Sequence, residues 1–255
     1  MNPNLSDGDN DLPPEPDDHQ AWYAKGYALD DLGRFEEAIA SYDQALKIKP
    51  DYHQACYNRG YALDDLGRFE EAIASYDQAL KIKPDYHQAW YNRGYALGQL
   101  GRFEEAIASY DQALKFQPDY HQAWNNRGYT LGQLGRFEEA IASYDQTLKF
   151  QPDLHQAWNN RSYALGKLGR FEEAIASYDQ ALKIKPDDQA WYNRGYVLGK
   201  LGRFEEAIAS YDQALKFKPD YHQAWNNRRI AIIKLKWQKL TQAVTGFLRI
   251  ISFRR

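Results

Sequence analysis

Apolar residues recur at three- and four-residue intervals along most of the chain, and the pattern is copied almost letter for letter about every 34 residues. In the first copy Trp22, Gly26, Leu29 and Leu32 fall on one face of a helix, because positions three and four apart lie above one another on a 3.6-residue turn. Gly33 follows, where a helix C-terminus favours a left-handed residue. A second apolar stripe runs through Phe35, Ala38, Ile39, Tyr42, Ala45 and Leu46. Pro50 then forbids continuation, and Asp51 stands where the next turn of chain begins. Each copy therefore predicts two antiparallel helices of about 12–14 residues. Glu36 and Glu37 open the second helix, where carboxylates meet the positive end of its dipole. Asp43 and Lys47 stand four apart on its outer side, an expected ion pair.

The phrase GRFEEAIASYDQ begins at Gly33, Gly67, Gly101, Gly135, Gly169 and Gly202. The last interval is one residue shorter, because DYHQAW becomes DDQAW at Asp187–Trp191. Six repeats follow: 19–52, 53–86, 87–120, 121–154, 155–188 and 189–221. Residues 1–18, rich in Asp and Pro, read as a disordered acidic leader. Residues 222–255 begin a seventh first helix and then lose the pattern, with Arg229 in place of the packing glycine. One helix pair cannot bury its apolar face alone, whereas a stack of pairs can. The expectation is an all-α solenoid of six helix-turn-helix repeats plus a C-terminal helix.

The motif W-x2-[KR]-G-x2-L…A-x3-Y…P resembles that of the tetratricopeptide repeat, W-x2-L-G-x2-Y…A-x3-F…P, across residues 19–221. The resemblance implies a right-handed superhelical solenoid whose first helices line a concave surface where ligands lie. This chain departs from the motif in three places, one of them the column of Leu29, where the family has Tyr. Lys25, Arg59, Arg93, Arg127, Arg161 and Arg194 stand where the family has Leu, and Ser162 replaces the glycine of the fifth repeat.

Composition narrows the function. The net charge is -3, yet residues 1–18 carry six acids and no base, while residues 228–255 carry eight bases and no acid. Setting aside those six acids and eight bases leaves -5 on the repeats, a poor footprint for nucleic acid. The single cysteine, Cys56, excludes a disulfide framework and a cysteine-rich metal site. No stretch reads as a signal peptide or membrane span, so the expected compartment is cytoplasmic. All six histidines (His19, His53, His87, His121, His155, His222) precede Gln-Ala. Neighbouring copies should stand about 10 Å apart, too far to share a metal. Asp7–Asp11 matches the start of a calcium loop, but Leu12 occupies the glycine position. No nucleophile–base constellation stands outside the repeat, so the chain reads as no enzyme, with no cofactor and no small-molecule substrate.

The face of the first helix opposite Trp22 carries Gln20, Ala24, Tyr27 and Asp31. In later repeats Ala24 becomes Asn58, Asn92, Asn126, Asn160, Asn193 and Asn227, beside a tyrosine row of Tyr27, Tyr61, Tyr95, Tyr129, Tyr163 and Tyr196. An amide offers donors and an acceptor to a peptide backbone, and tyrosine adds contact area at low entropy cost. Asparagine at this column binds peptide backbone in some relatives, as the resemblance implies. The lysines that a carboxylate-gripping relative needs around it are absent. The last column grades from Asp31 and Asp65 through Gln99 and Gln133 to Lys167 and Lys200, and the residue before it from Asp30 and Asp64 to Gly98, Gly132, Gly166 and Gly199. The expected function is a scaffold binding an extended segment of a protein partner, basic toward repeats one and two and acidic toward five and six. Alternatives are self-assembly of acidic leader with basic tail and single-stranded RNA binding. The tail, with Ile232, Leu235, Leu240, Val244, Phe247 and Ile251 among bases, reads as a capping helix, a membrane-surface helix or a degenerate end without selected function. Cys56, alone in a column of tryptophans, marks an expected weak seam.

Overall fold

The computed structural model describes residues 18–252. Residues 1–17 of the leader, with the calcium-loop-like Asp7–Asp11, lie outside that range, and Asp18 caps α1, its carboxylate accepting from the Gln20 and Ala21 N–H groups. All regular structure among the described residues is helical. The helices are α1 (His19–Asp31), α2 (Phe35–Ile48), α3 (His53–Asp65), α4 (Phe69–Ile82), α5 (His87–Gln99), α6 (Phe103–Phe116), α7 (His121–Gln133), α8 (Phe137–Phe150), α9 (His155–Lys167), α10 (Phe171–Ile184), α11 (Asp188–Lys200), α12 (Phe204–Phe217) and α13 (His222–Ser252). None of them is long and apolar enough to cross a membrane. The chain divides into two compact units, Met1–Gln117 with α1–α6 and Pro118–Arg255 with α7–α13. Each unit is an all-α helical-repeat solenoid, in which each helix packs on its own partner and on the next pair.

Two glycine columns make the pairs possible. Gly33 and its five equivalents adopt φ of 71–75°, and a Cβ there would meet nothing within 4 Å. The left-handed turn between the two helices, not space, demands them. At Gly26 the reason is reversed: a Cβ would sit 2.7 Å from the Tyr42 ring, and Gly60 meets Tyr76 in the same way. Those rings are fully buried, as are Leu63, Leu97, Leu131 and Leu165. Each such side chain contributes about 1.5–3 kcal/mol of transfer free energy.

The arginines that depart from the motif tie repeats together. Arg59 donates Nε to Asp43 on the preceding second helix at 2.6 Å and Nη1 to Ser75 on its own second helix at 2.6 Å. Arg93, Arg161 and Arg194 repeat the arrangement with Asp77 and Ser109, Asp145 and Ser177, and Asp179 and Ser210. One guanidinium thus joins three helices. Lys25 occupies this column in the first repeat and lies over the Trp22 ring at 4.7 Å. The one-residue deletion before α11 is absorbed by Asp187, whose carboxylate accepts from the Ala190 N–H at 2.7 Å and caps the helix.

Three expectations are corrected. Asp43 does not pair with Lys47; it is taken by Arg59, and Lys47 reaches Gln44 instead. Leu32 does not share the buried face of Trp22, Gly26 and Leu29: it is 70% exposed. Its equivalent Leu66 packs beside Phe35 and Ile39 of the repeat before it, a surface that Leu32 has no counterpart for among the described residues. Among the tail residues whose side chains are described, only the first turns cap; Phe247 and Ile251 lie outside them. Ala231 is buried, and Ile232 and Leu235 are half-buried. Beyond them Trp237, Leu240 and Val244 stand exposed, Trp237 at 63%.

Candidate functional site

The first helices place the tyrosine row on the surface. Tyr27, Tyr61 and Tyr95 of the first unit are 42–53% exposed, and Tyr129, Tyr163 and Tyr196 of the second are 47–55% exposed. Each follows the buried small residue of its helix by one position, so it turns just off the packed face. The charged column is exposed throughout: Asp31, Asp65 and Gln99 in the first unit, Gln133, Lys167 and Lys200 in the second. Lys167 and Lys200 lie over the rings of Tyr163 and Tyr196, 5.1 and 5.2 Å from their centroids.

The asparagines are half-buried and partly committed. Asn58, Asn92 and Asn227 donate Nδ2 to the hydroxyls of Tyr23, Tyr57 and Tyr192 in the preceding repeat, each at 3.0 Å. Where Asn125 and Asn159 replace that tyrosine, the Asn160 and Asn193 amides stand beside Tyr144 and Tyr178 instead. Asn126 accepts from Asn125 at 3.4 Å, and Asn193 from Gln189 at 3.1 Å. A carboxamide carries two donors and a two-lone-pair acceptor, so one such bond leaves Asn58, Asn92 and Asn227 capacity for a ligand. The sequence signal for this second role is the Tyr23, Tyr57, Tyr192 column one residue before the asparagine.

In the second unit the two rows enclose recesses. Tyr129, Gln133, Phe137, Tyr144, Asn160 and Tyr163 line one of about 440 Å³. Tyr163, Lys167, Phe171, Tyr178, Asn193, Tyr196 and Lys200 line the next, about 340 Å³. The last is bounded by Tyr196, Lys200, Tyr211, Asn227 and α13. Gly132, Gly166 and Gly199 form part of their walls and leave them open.

The first unit carries Asp30 and Asp64 in that glycine column, both half-buried. Burial, then the neighbouring Asp65 and Asp31, pushes the Asp30 carboxyl up to about 6; burial and Asp65 push Asp64 up to about 7. Tyr61 feels Asp65, Asp30 and Asp64 together, which places the acids of α1 and α3 around one ring.

The histidines lie at repeat junctions. His19 and His53 meet Tyr52 and Tyr86 edge-on at 5.1 and 5.6 Å, and His155 Nε2 is 3.7 Å from Asp187. Among the described residues no three potential metal ligands gather.

Stacked helix pairs joined at a left-handed glycine, with a glycine seated under a tyrosine ring, define a helical-repeat protein of the interaction class. The chain belongs to the tetratricopeptide-repeat family, whose description "Tetratricopeptide repeat" matches residues 19–52, 57–121, 93–155, 125–189 and 159–222. Comparison with curated protein sequences gives no match. Among solved structures, YrrB, described as a TPR protein with an unusual peptide-binding site, is 20% identical. It superposes with a TM-score of 0.68 over 74% of this chain and 97% of that one. PilW, described as a type IV pilus biogenesis factor, is 23% identical, with a TM-score of 0.66 over 82% and 97%. MamA is 23% identical, with a TM-score of 0.63 over 66% and 91%. These likenesses support the fold. Membership of the family points to a protein-interaction scaffold.

Proposed function

We propose that the tyrosine–asparagine face of the first helices binds an extended segment of a partner protein. The observation that carries this reading is the same exposed tyrosine on all six first helices, each about half exposed where a folded chain buries aromatic surface. Beside it, asparagine amides keep unspent hydrogen-bonding capacity for a peptide backbone. Asp31 and Asp65 favour a basic stretch on the first unit, and Lys167 and Lys200 an acidic stretch on the second. That YrrB is described as having a peptide-binding site agrees with this reading at the level of fold. A net charge of -5 over residues 19–227 as a whole disfavours RNA phosphate.

Alanine in place of Tyr61 and Tyr95, or of Tyr163 and Tyr196, removes contact area without touching the core. Immobilised chain should lose its partner with either pair while retaining its helical content and unfolding midpoint. Undiminished capture by both variants would defeat the proposal. Tyrosine is the better target, because Asn92→Ala also breaks the bond to Tyr57.

A further inference from the structure

The acids at positions 30 and 64 are unlike the rest of the face, because they reach beneath it. In repeats four to six the corresponding position is glycine, and the hollow beside it is lined by Tyr144, Tyr178 and Tyr211. A Cβ at Gly199 would lie 4.0 Å from the Tyr211 hydroxyl. A Cβ at Gly132 meets nothing within 4 Å and one at Gly166 only Val197 at 3.7 Å, so a side chain in this column has room to turn toward the hollow. Asp64 is such a side chain, and Tyr76 is its tyrosine.

Tyr76 is fully buried and its hydroxyl has no partner; one oxygen of Asp64 is likewise buried and unpartnered. The first repeat copies this with Asp30 and Tyr42. There the Asn58 amide stands beside the Tyr42 hydroxyl without closing a bond to it. Burying a carboxylate oxygen and a phenol oxygen with no donor is costly. The titratable groups that interact with Asp30 and Asp64 are Asp31, Asp65, Tyr42, Tyr57, Tyr61 and Tyr76, which include no cation. Asp31 and Asp65 stand exposed at the mouth, and Tyr27 and Tyr61 offer exposed aromatic rings beside it.

We propose that these two acid–phenol pairs, Asp30 with Tyr42 and Asp64 with Tyr76, each receive the cationic head of a lysine or arginine side chain carried by the bound segment, the half-buried carboxylates shifting to admit it. This rests on the binding face proposed above. An ammonium supplies three donors and accepts nothing, which is what a carboxylate and a phenol oxygen lacking donors require. Tyr27 and Tyr61 can hold the cation from the side through their rings. Adjacent first helices stand about 10 Å apart, a gap that a polyproline-II segment crosses in about three residues while returning its side chain to the same face. The recognised pattern is therefore two basic residues three positions apart. The cation also displaces a proton: carboxyls raised by burial bind it best when ionised, so affinity falls as pH drops below about 7 at Asp64 and about 6 at Asp30.

The test uses the full chain and fluorescein-labelled synthetic peptides of Gly, Ser and Thr. One carries Lys-x-x-Lys, one Gln-x-x-Gln and one Glu-x-x-Glu, and binding is read by fluorescence anisotropy at pH 8 and pH 5. The expected result is a lysine peptide that binds about tenfold or more tighter than the glutamine peptide at pH 8, with the preference lost at pH 5. It should also be lost in Asp30→Asn/Asp64→Asn. The pair Asp30→Gly/Asp64→Gly, which installs the residue four other repeats already carry, guards against a folding defect in the first variant. Equal binding of lysine and glutamine peptides, sensitive to Tyr61→Ala/Tyr95→Ala, would overturn the cation site and leave the binding face standing. No binding by any of the three would overturn both.

Discussion

Trp90, Trp124, Trp158 and Trp225 each donate the indole N–H to a proline carbonyl six residues earlier, at 2.8–3.0 Å, and lie under an arginine of the same helix. Cys56 can do neither, although it is buried. The tryptophans of this column after Trp22 are half-buried or exposed, so the seam at Cys56 costs less than the loss of a wholly packed indole. Cys56→Trp should restore the bond to the Pro50 carbonyl and the stacking of Arg59. The expected gain is about 1–2 kcal/mol, seen as a higher urea midpoint at unchanged slope. Asp64 sets a second test at this scale. Its carboxyl moves from an unfolded value of about 3.9 to about 7 in the fold. The fold thus favours the protonated form, and the stability this group contributes is full below the unfolded value and lost as pH rises through the folded one. Against wild type, Asp64→Asn should therefore gain in thermal midpoint from pH 4 to pH 8. A difference that is flat in pH would contradict the burial of this group.

The helices themselves were legible in the sequence, since the spacing of Trp22, Gly26 and Leu29, the stop at Gly33 and the block at Pro50 all act locally. The ties between helices were not. Arg59, Asp43 and Ser75 lie sixteen residues apart in either direction, and no helical period connects them. Asn58 likewise reads as a free surface amide until the repeat before it supplies Tyr23. Arg93→Ala should cost about 1–3 kcal/mol, because Asp77 and Ser109 lose a charged donor shared by three helices. Denaturant unfolding of the full chain measures it; a cost near zero would make the clamp incidental. In α13 the first turns do the packing. Ending the chain after Leu240 should leave the midpoint unchanged, whereas ending it after Tyr221 should lower it by uncovering Ala207 and Tyr211.

Repeat count, helix pairing and family were all readable from one unit multiplied, because a solenoid asks each copy to satisfy only its neighbours. What one unit cannot report is how the copies differ in use. The first unit presents Asp31 and Asp65 beside half-buried acids, whereas the second presents Lys167 and Lys200 over open hollows. Exchanging these charges, with Asp31→Lys, Asp65→Lys, Lys167→Asp and Lys200→Asp, should reverse the charge preference of the full chain on a peptide array. An unchanged preference would mean that the exposed column does not select the ligand.

Cys56 has a use at this same scale. It is the chain's one thiol, 1% exposed, and burial lifts its pKa to about 11. A disulfide reagent can reach it only when α3 swings away from its neighbours, so the rate of labelling clocks the opening of the second repeat in the unmodified protein. Asp64 sits on that same helix. A ligand seated there should slow the clock, and occupancy becomes readable as a rate without any engineered probe.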